Sequence, residues 1–190
     1  VISASSQLVT AERHADVDST VLSGLPAGWS QSGDLSGLTL PGDLDDTKRF
    51  IAIIVDGDGP HEIPIFPAGS PPADMNALVS SLESAIQGIN PGLDRFSNFS
   101  VERVNALGAT SPGGNFLRFT SGTPATAERE QSSVQLLNAS SNSASRALKL
   151  GLANGGREGA AAADLRPTQT GTVSEDLADL TPATLSAVSY

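Results

Sequence analysis

Phe50-Ile51-Ala52-Ile53-Ile54-Val55 runs straight into Asp56-Gly57-Asp58-Gly59 and then into Glu62-Ile63-Pro64-Ile65-Phe66. The first six residues form the only run of six successive apolar residues in the chain, and Ile and Val supply four of them. That composition predicts a strand buried on both faces, around which the rest of the chain packs. The two Asp-Gly pairs permit positive φ and mark a hairpin turn, and Ile63 and Ile65 alternate along a returning strand. Pro64 has no amide hydrogen to give a ladder, so the returning strand should lie at an edge or carry a bulge.

On the C-terminal side, Ser70-Pro71-Pro72 offers a capping hydroxyl and prolines suited to a helix start. Met75, Leu78, Leu82, Ala85, Ile86 and Ile89 then recur at spacings of three and four, predicting an amphipathic helix over 73–89 that stops at Asn90-Pro91-Gly92. Ser80, Ser81, Glu83, Ser84 and Gln87 fall mostly on its other face. Three more strands are expected at 99–107, 115–120 and 133–138, and a short helix over 142–150 ending at Gly151. On the N-terminal side, residues 1–47 have no sustained period. Val1 to Leu8 suits an edge strand, and the Gly- and Ser-rich remainder reads as an arm anchored by Trp29, Leu35, Leu38 and Leu40. Beyond Gly151, Ala160–Asp164 suits a helical turn or a strand lead-in, and residues 174–190 suit a short helix or an arm onto a neighbour.

The expected fold is therefore α+β. A small mixed β-sheet in the order β-β-α-β-β-β-α carries one long amphipathic helix, with extended arms at both termini. The division is an N-terminal arm over 1–47, a core module over 48–152 and a C-terminal extension over 153–190.

Composition narrows function mainly by exclusion. The 190 residues carry a formal charge of −10, with a sequence pI of about 4.4. Nucleic-acid backbones and anionic membranes would be approached against a like-signed field, so neither is an expected partner. The chain has no cysteine, which removes disulfides, zinc-thiolate sites and thiol nucleophiles. No apolar run approaches the roughly 18–20 residues that span a bilayer. The opening Val1-Ile2-Ser3-Ala4-Ser5-Ser6 lacks the pattern of a signal peptide, and its start at Val rather than Met fits a processed product or a fragment.

The candidate chemical groups are few. His14 and His61 are the only histidines, and neither has neighbours at the spacing of a metal motif or a catalytic triad. Asp43-Leu44-Asp45-Asp46 and Asp56-Gly57-Asp58-Gly59 invite a calcium reading, but both lack the full loop with its closing Glu and read as solvated turns. The glycines of 151–159 follow neither the dinucleotide nor the phosphate-loop pattern. Asn98-Phe99-Ser100 and Asn138-Ala139-Ser140 match the glycosylation sequon, which a Ser-rich chain produces by chance. No catalytic residue, cofactor-binding residue or metal ligand is expected, and the protein is read as a non-enzyme.

Phe50 to Gly57, the helix with Leu78, Leu82 and Ile86, Phe116 to Thr123, Ser132-Ser133-Val134 and Ala147 to Gly151 together resemble modules inserted in the sheath proteins of contractile phage tails and related contractile injection systems. Asn154 to Glu158, with Arg166-Pro167 and Gly171-Thr172, is similar to the return path of such an insertion, so the resemblance covers roughly residues 48–173. It implies a structural role in the virion, on a tail or particle surface, after assembly in the host cytoplasm. Many copies would self-associate and contact other tail or virion structural proteins, with the arms making subunit contacts. A surface module that binds glycans or a host receptor through Trp29 and Tyr190 is the alternative, and a hydrolase comes third.

Overall fold

Phe50–Val55 (β2) is the middle strand of a three-stranded antiparallel sheet ordered β3-β2-β6, where β3 is Asp58–Pro64 and β6 is Val134–Leu137. The protein is described by a computed structural model covering residues 27–124 and 132–159. Ile51, Ile53 and Val55 of β2 are completely buried, and Ala52 nearly so. The β2–β3 turn is made by Asp56 at φ 53° and Gly57 at φ 80°, with Val55 paired to Asp58. Two successive positive φ values give the turn whose twist matches the flanking strands. Between the Ile53–His61 and Val55–Asp58 pairs, β3 carries one residue more than β2, a bulge at Gly59-Pro60. A side chain at Gly59 would stand 2.6 Å from the Ile53 carbonyl oxygen, so only glycine fits there.

Pro64 pointed to an edge strand or a bulge, and β3 is both. Ile65 N donates to Arg49 O at 2.8 Å. Because antiparallel pairs alternate, Ile63 and His61 turn their backbone groups toward β2 while Glu62 and Pro64 turn theirs outward. Pro64 thus has no N–H on the open rim, which blunts pairing with another strand. The Glu62 carboxylate fastens the opposite side of the sheet, accepting from Ser140 N at 2.7 Å and Ser140 Oγ at 2.8 Å.

The second sheet has four antiparallel strands in the order β4-β5-β1-β7, namely Ser100–Val104, Phe116–Thr120, Trp29–Gln31 and Arg157–Gly159. Its inner face supplies Val101, Leu117 and Phe119 to a single apolar cluster with Ile51, Ile53, Val55, Val134 and Leu136 of the first sheet. Helix α1, Met75–Gln87, adds Leu78, Leu82 and Ile86, and the short α2, Asp94–Ser97, adds Phe96.

Helix α1 is shorter at both ends than the 73–89 expected from apolar spacing. Its N-cap is Asp74, not Ser70: the Asp74 carboxylate accepts from Asn76 N and Ala77 N, each at 2.9 Å. Asp74→Ala should therefore lower stability by about 1 kcal/mol in urea denaturation. Two polar residues assigned to the outer face of the helix fasten the edge of β4. Glu83 Oε2 accepts from Val101 N at 2.9 Å, and Gln87 Nε2 donates to Phe99 O at 2.8 Å.

Three expectations need correction. Among the described residues, the single mixed sheet is two sheets whose strand pairs are all antiparallel, with one isolated parallel bridge, Phe50 to Ser143. The expected helix over 142–150 is a set of turns. There Ser143 Oγ accepts from Ala139 N, Ser145 Oγ donates to Leu137 O at 2.7 Å, and Asn142 and Lys149 take positive φ. Serine hydroxyls that bond neighbouring backbone compete with helix propagation, and Ala144, Leu148 and Leu150 are buried by this compact coil instead. The order β-β-α-β-β-β-α also gains a strand at each end. β1 lies inside the segment read as an arm over 1–47, and β7 inside the extension over 153–190. The readings of Val1–Leu8, His14, Ala160–Asp164, residues 174–190 and Tyr190 lie outside the described residues.

Candidate functional site

The outer face of the four-stranded sheet gathers charge that no local motif announces. Pairing places Glu102 of β4 opposite Arg118 of β5, Arg118 opposite Gln31 of β1, and Gln31 opposite Arg157 of β7. Paired residues of an antiparallel sheet share a face, so these four side chains form one row across all four strands. The adjacent row is Ser100, Thr120, Trp29 and Gly159.

Arg118 links the rows by laying its guanidinium 4.3 Å from the Trp29 ring centroid. A Cβ at Gly159 would stand 2.5 Å from Trp29 Cε2, so the glycine makes room for the ring. Trp29 is thus an anchor within its own sheet, as Leu35, which is buried, and Leu38 and Leu40, which pack on the core, are anchors elsewhere in that segment.

Both arginines reach the turn that joins β4 to β5. Arg118 Nη1 donates to Gly108 O at 3.3 Å, and Arg157 Nη2 donates to Ala106 O at 2.6 Å. The turn is also tied internally: Asn105 Oδ1 accepts from Leu107 N at 2.9 Å and from Ala109 N at 3.1 Å, and Asn105 N donates to Ala109 O. Held this way, the tip presents Ala106, Leu107 and Ala109 to solvent, with Leu107 92% exposed. Burial pushes the Arg118 guanidinium below its ordinary value, Glu102 opposes that shift, and the like charge of Arg157 adds to it. Beneath the turn, Gln31 is 1% exposed, and its Nε2 is the one buried side-chain polar atom without a hydrogen-bond partner among the described residues.

The groups singled out from the sequence are placed elsewhere. Asp56 of the hairpin turn accepts from Ser133 N at 2.8 Å through Oδ1. Its Oδ2 accepts from Ser121 Oγ at 3.0 Å and from Thr123 Oγ1. The carboxylate therefore clasps the ends of β5 and β6 to the β2–β3 turn. Asp58 bonds His61 Nε2 at 2.9 Å, and the imidazole meets the Phe96 ring edge-on with centroids 5.6 Å apart.

Asp43 accepts from Thr39 N at 2.6 Å, Asp46 from Gly69 N at 3.0 Å, and Asp45 from Thr47 N at 2.8 Å. The Thr47 hydroxyl, followed by its backbone amide, holds the Asp45 carboxyl below the usual range. Asp43 and Asp45 order their own turns, and Asp46 ties its turn to the Gly69 segment. Among the described residues, no group of three or more His, Asp or Glu is placed to hold a metal ion.

Of the 151–159 segment, Gly151 takes φ 73° directly against the Leu136 carbonyl, and the segment ends as strand β7. Within it, Glu158 Oε1 accepts from Leu136 N at 3.3 Å, while burial pushes its carboxyl up. Both sequon asparagines, Asn98 and Asn138, are exposed, and Asn138 Oδ1 accepts from Asn154 Nδ2 at 2.9 Å.

The row of Arg118, Gln31 and Arg157 was not legible as a site because its members lie 87 and 126 positions apart along the chain from Gln31. The one local signal is Arg118 itself, a charge set inside Phe116-Leu117-Arg118-Phe119. No protein-family model, no curated protein and no solved structure matches the chain. The resemblance to tail-sheath modules therefore rests on the residues quoted for it.

Proposed function

We propose that this protein is a non-enzymatic structural module of a phage tail-like or other viral assembly, present in many copies and held by contacts with its own copies and with other tail or virion structural proteins. The observation that carries this reading is the β4–β5 tip. An apolar Ala106-Leu107-Gly108-Ala109 turn is fastened by hydrogen bonds on both flanks, yet Leu107 is left 92% exposed. A preorganised apolar side chain loses little conformational freedom when it enters a neighbour's pocket. The tip sits beside two arginines on a chain of charge −10, a combination that favours contact with another acidic copy. Glu62, Asp56, Glu83 and Gln87 fasten backbone elements together, roles that suit a scaffold.

Sedimentation velocity and electron microscopy of the purified chain test the proposal. Oligomers, rings or tubes that grow with concentration are expected. Leu107→Asp should reduce association at least about tenfold, the equivalent of about 1.4 kcal/mol, without lowering the melting temperature. A chain that stays monomeric at every concentration and beside its candidate tail partners would refute the assembly reading.

A further inference from the structure

We propose that Arg118, Gln31 and Arg157 form a binding site for the carboxylate of an organic monoacid. This site adjoins the exposed Leu107 and does not depend on the assembly reading. Two guanidiniums from different strands are brought to one turn, although like charges repel. The hydrogen bonds to Gly108 O and Ala106 O use one N–H of each guanidinium, which has five. Between the arginines in the cross-strand register lies the Gln31 amide, buried and lacking an acceptor. Buried donors are ordinarily paired, so an unpaired one flanked by two cations marks a place suited to oxygen acceptors.

Charge and shape select the class. In the row, Glu102 offsets one of the two guanidiniums, leaving a single net positive charge that matches a monoanion. The planar guanidinium fork fits the two coplanar oxygens of a carboxylate. The indole of Trp29 and the apolar Ala106 and Leu107 lie alongside, suiting an acid that carries a carbon chain rather than a bare inorganic anion. Arg157 is exposed, and movement of its side chain admits the acid. One carboxylate oxygen then accepts from Gln31 Nε2 while the guanidiniums hold the other. The acid is either a free molecule or an Asp or Glu side chain of a second copy.

Trp29, the only tryptophan, is a built-in reporter because Arg118 rests on its ring. Its fluorescence should change saturably when the intact protein is titrated with sodium propionate at constant ionic strength, against sodium chloride as the control. Arg157→Gln, at an exposed position, should weaken the propionate midpoint about tenfold or more while leaving the melting temperature in place. Gln31→Met should also weaken it, yet raise the melting temperature, because it removes the unpaired buried donor; a purely structural glutamine would not give that combination.

A propionate response that is linear and equal to that of chloride would overturn the proposal, as would unchanged binding in both variants. Inorganic phosphate that saturates more tightly than propionate would overturn the assignment to a monocarboxylate. Sedimentation with and without propionate separates the two sources. Dissociation of oligomers by propionate identifies an acidic side chain of a second copy, and saturable fluorescence with unchanged sedimentation identifies a free acid.

Discussion

Ile53→Ala is expected to lower unfolding stability by about 2–5 kcal/mol, enough to consume a large fraction of the margin of a domain this size. Ile53 is 0% exposed on the middle strand of the three-stranded sheet, paired to His61 on one side and Leu136 on the other. Neighbours on both sides are fixed by backbone ladders, so the space left by the lost carbons cannot close, and the cavity term adds to the lost transfer free energy. Urea denaturation followed by circular dichroism gives the value. Trp29 fluorescence reads the same transition from the other sheet. Coincident midpoints are expected, because Ile53 and Phe119 belong to one apolar cluster. Ser84→Ala, on the exposed face of α1, should change stability by less than about 0.5 kcal/mol. An equally silent Ile53→Ala would show that β2 is not the centre of the core.

Asp56→Ala should cost roughly 3 kcal/mol or more, through two mechanisms that act together. Hydrogen bonds to a charged acceptor are each worth about 1.5–3 kcal/mol, and removing the acceptor leaves the buried Ser121 and Thr123 hydroxyls and the Ser133 amide to find other partners. Asp56 also holds φ 53°, a conformation that aspartate and asparagine tolerate better than alanine. Asp56→Asn separates the two contributions. It keeps the tolerance for positive φ and one oxygen acceptor, but turns an NH2 group toward donors, so its loss should be intermediate. Equilibrium denaturation of the three proteins checks the order, and a cost below about 1 kcal/mol for Asp56→Ala would show that the clasp between turn and strands is not a stabilising one.

Asp56 also illustrates what the sequence could and could not convey. Asp-Gly after a β-branched run identified the turn, because the backbone requirement for positive φ is local. That its carboxylate would meet Ser121, Thr123 and Ser133 was invisible, since those contacts close over more than sixty residues. The same distinction runs through the fold. β2, β3 and the middle of α1 were readable from apolar period, whereas β1 and β7 were not. Each of those strands has only three residues: Trp-Ser-Gln and Arg-Glu-Gly contain no alternation long enough to register, and β1 becomes a strand because β5 and β7 supply ladders on its two sides, β7 because it pairs along the edge that β1 offers. The 142–150 segment failed in the opposite way. Its Ser- and Ala-rich sequence suits a helix, but Ser143 and Ser145 bond the chain around Leu137 and Ala139 instead. The row of Arg118, Gln31 and Arg157 is a product of register, and register is set by tertiary pairing rather than by any short pattern.

The pairing of Trp29 with Gly159 has a geometric consequence of its own. Opposed residues in an antiparallel ladder have Cα atoms about 4.5–5.5 Å apart, so the first and last strands of the described chain run side by side. A polypeptide that departs where it arrived can be spliced into the loop of a host protein without prying that loop open. The two junctions then bridge a gap no wider than one hairpin, and the host's own folding is left undisturbed.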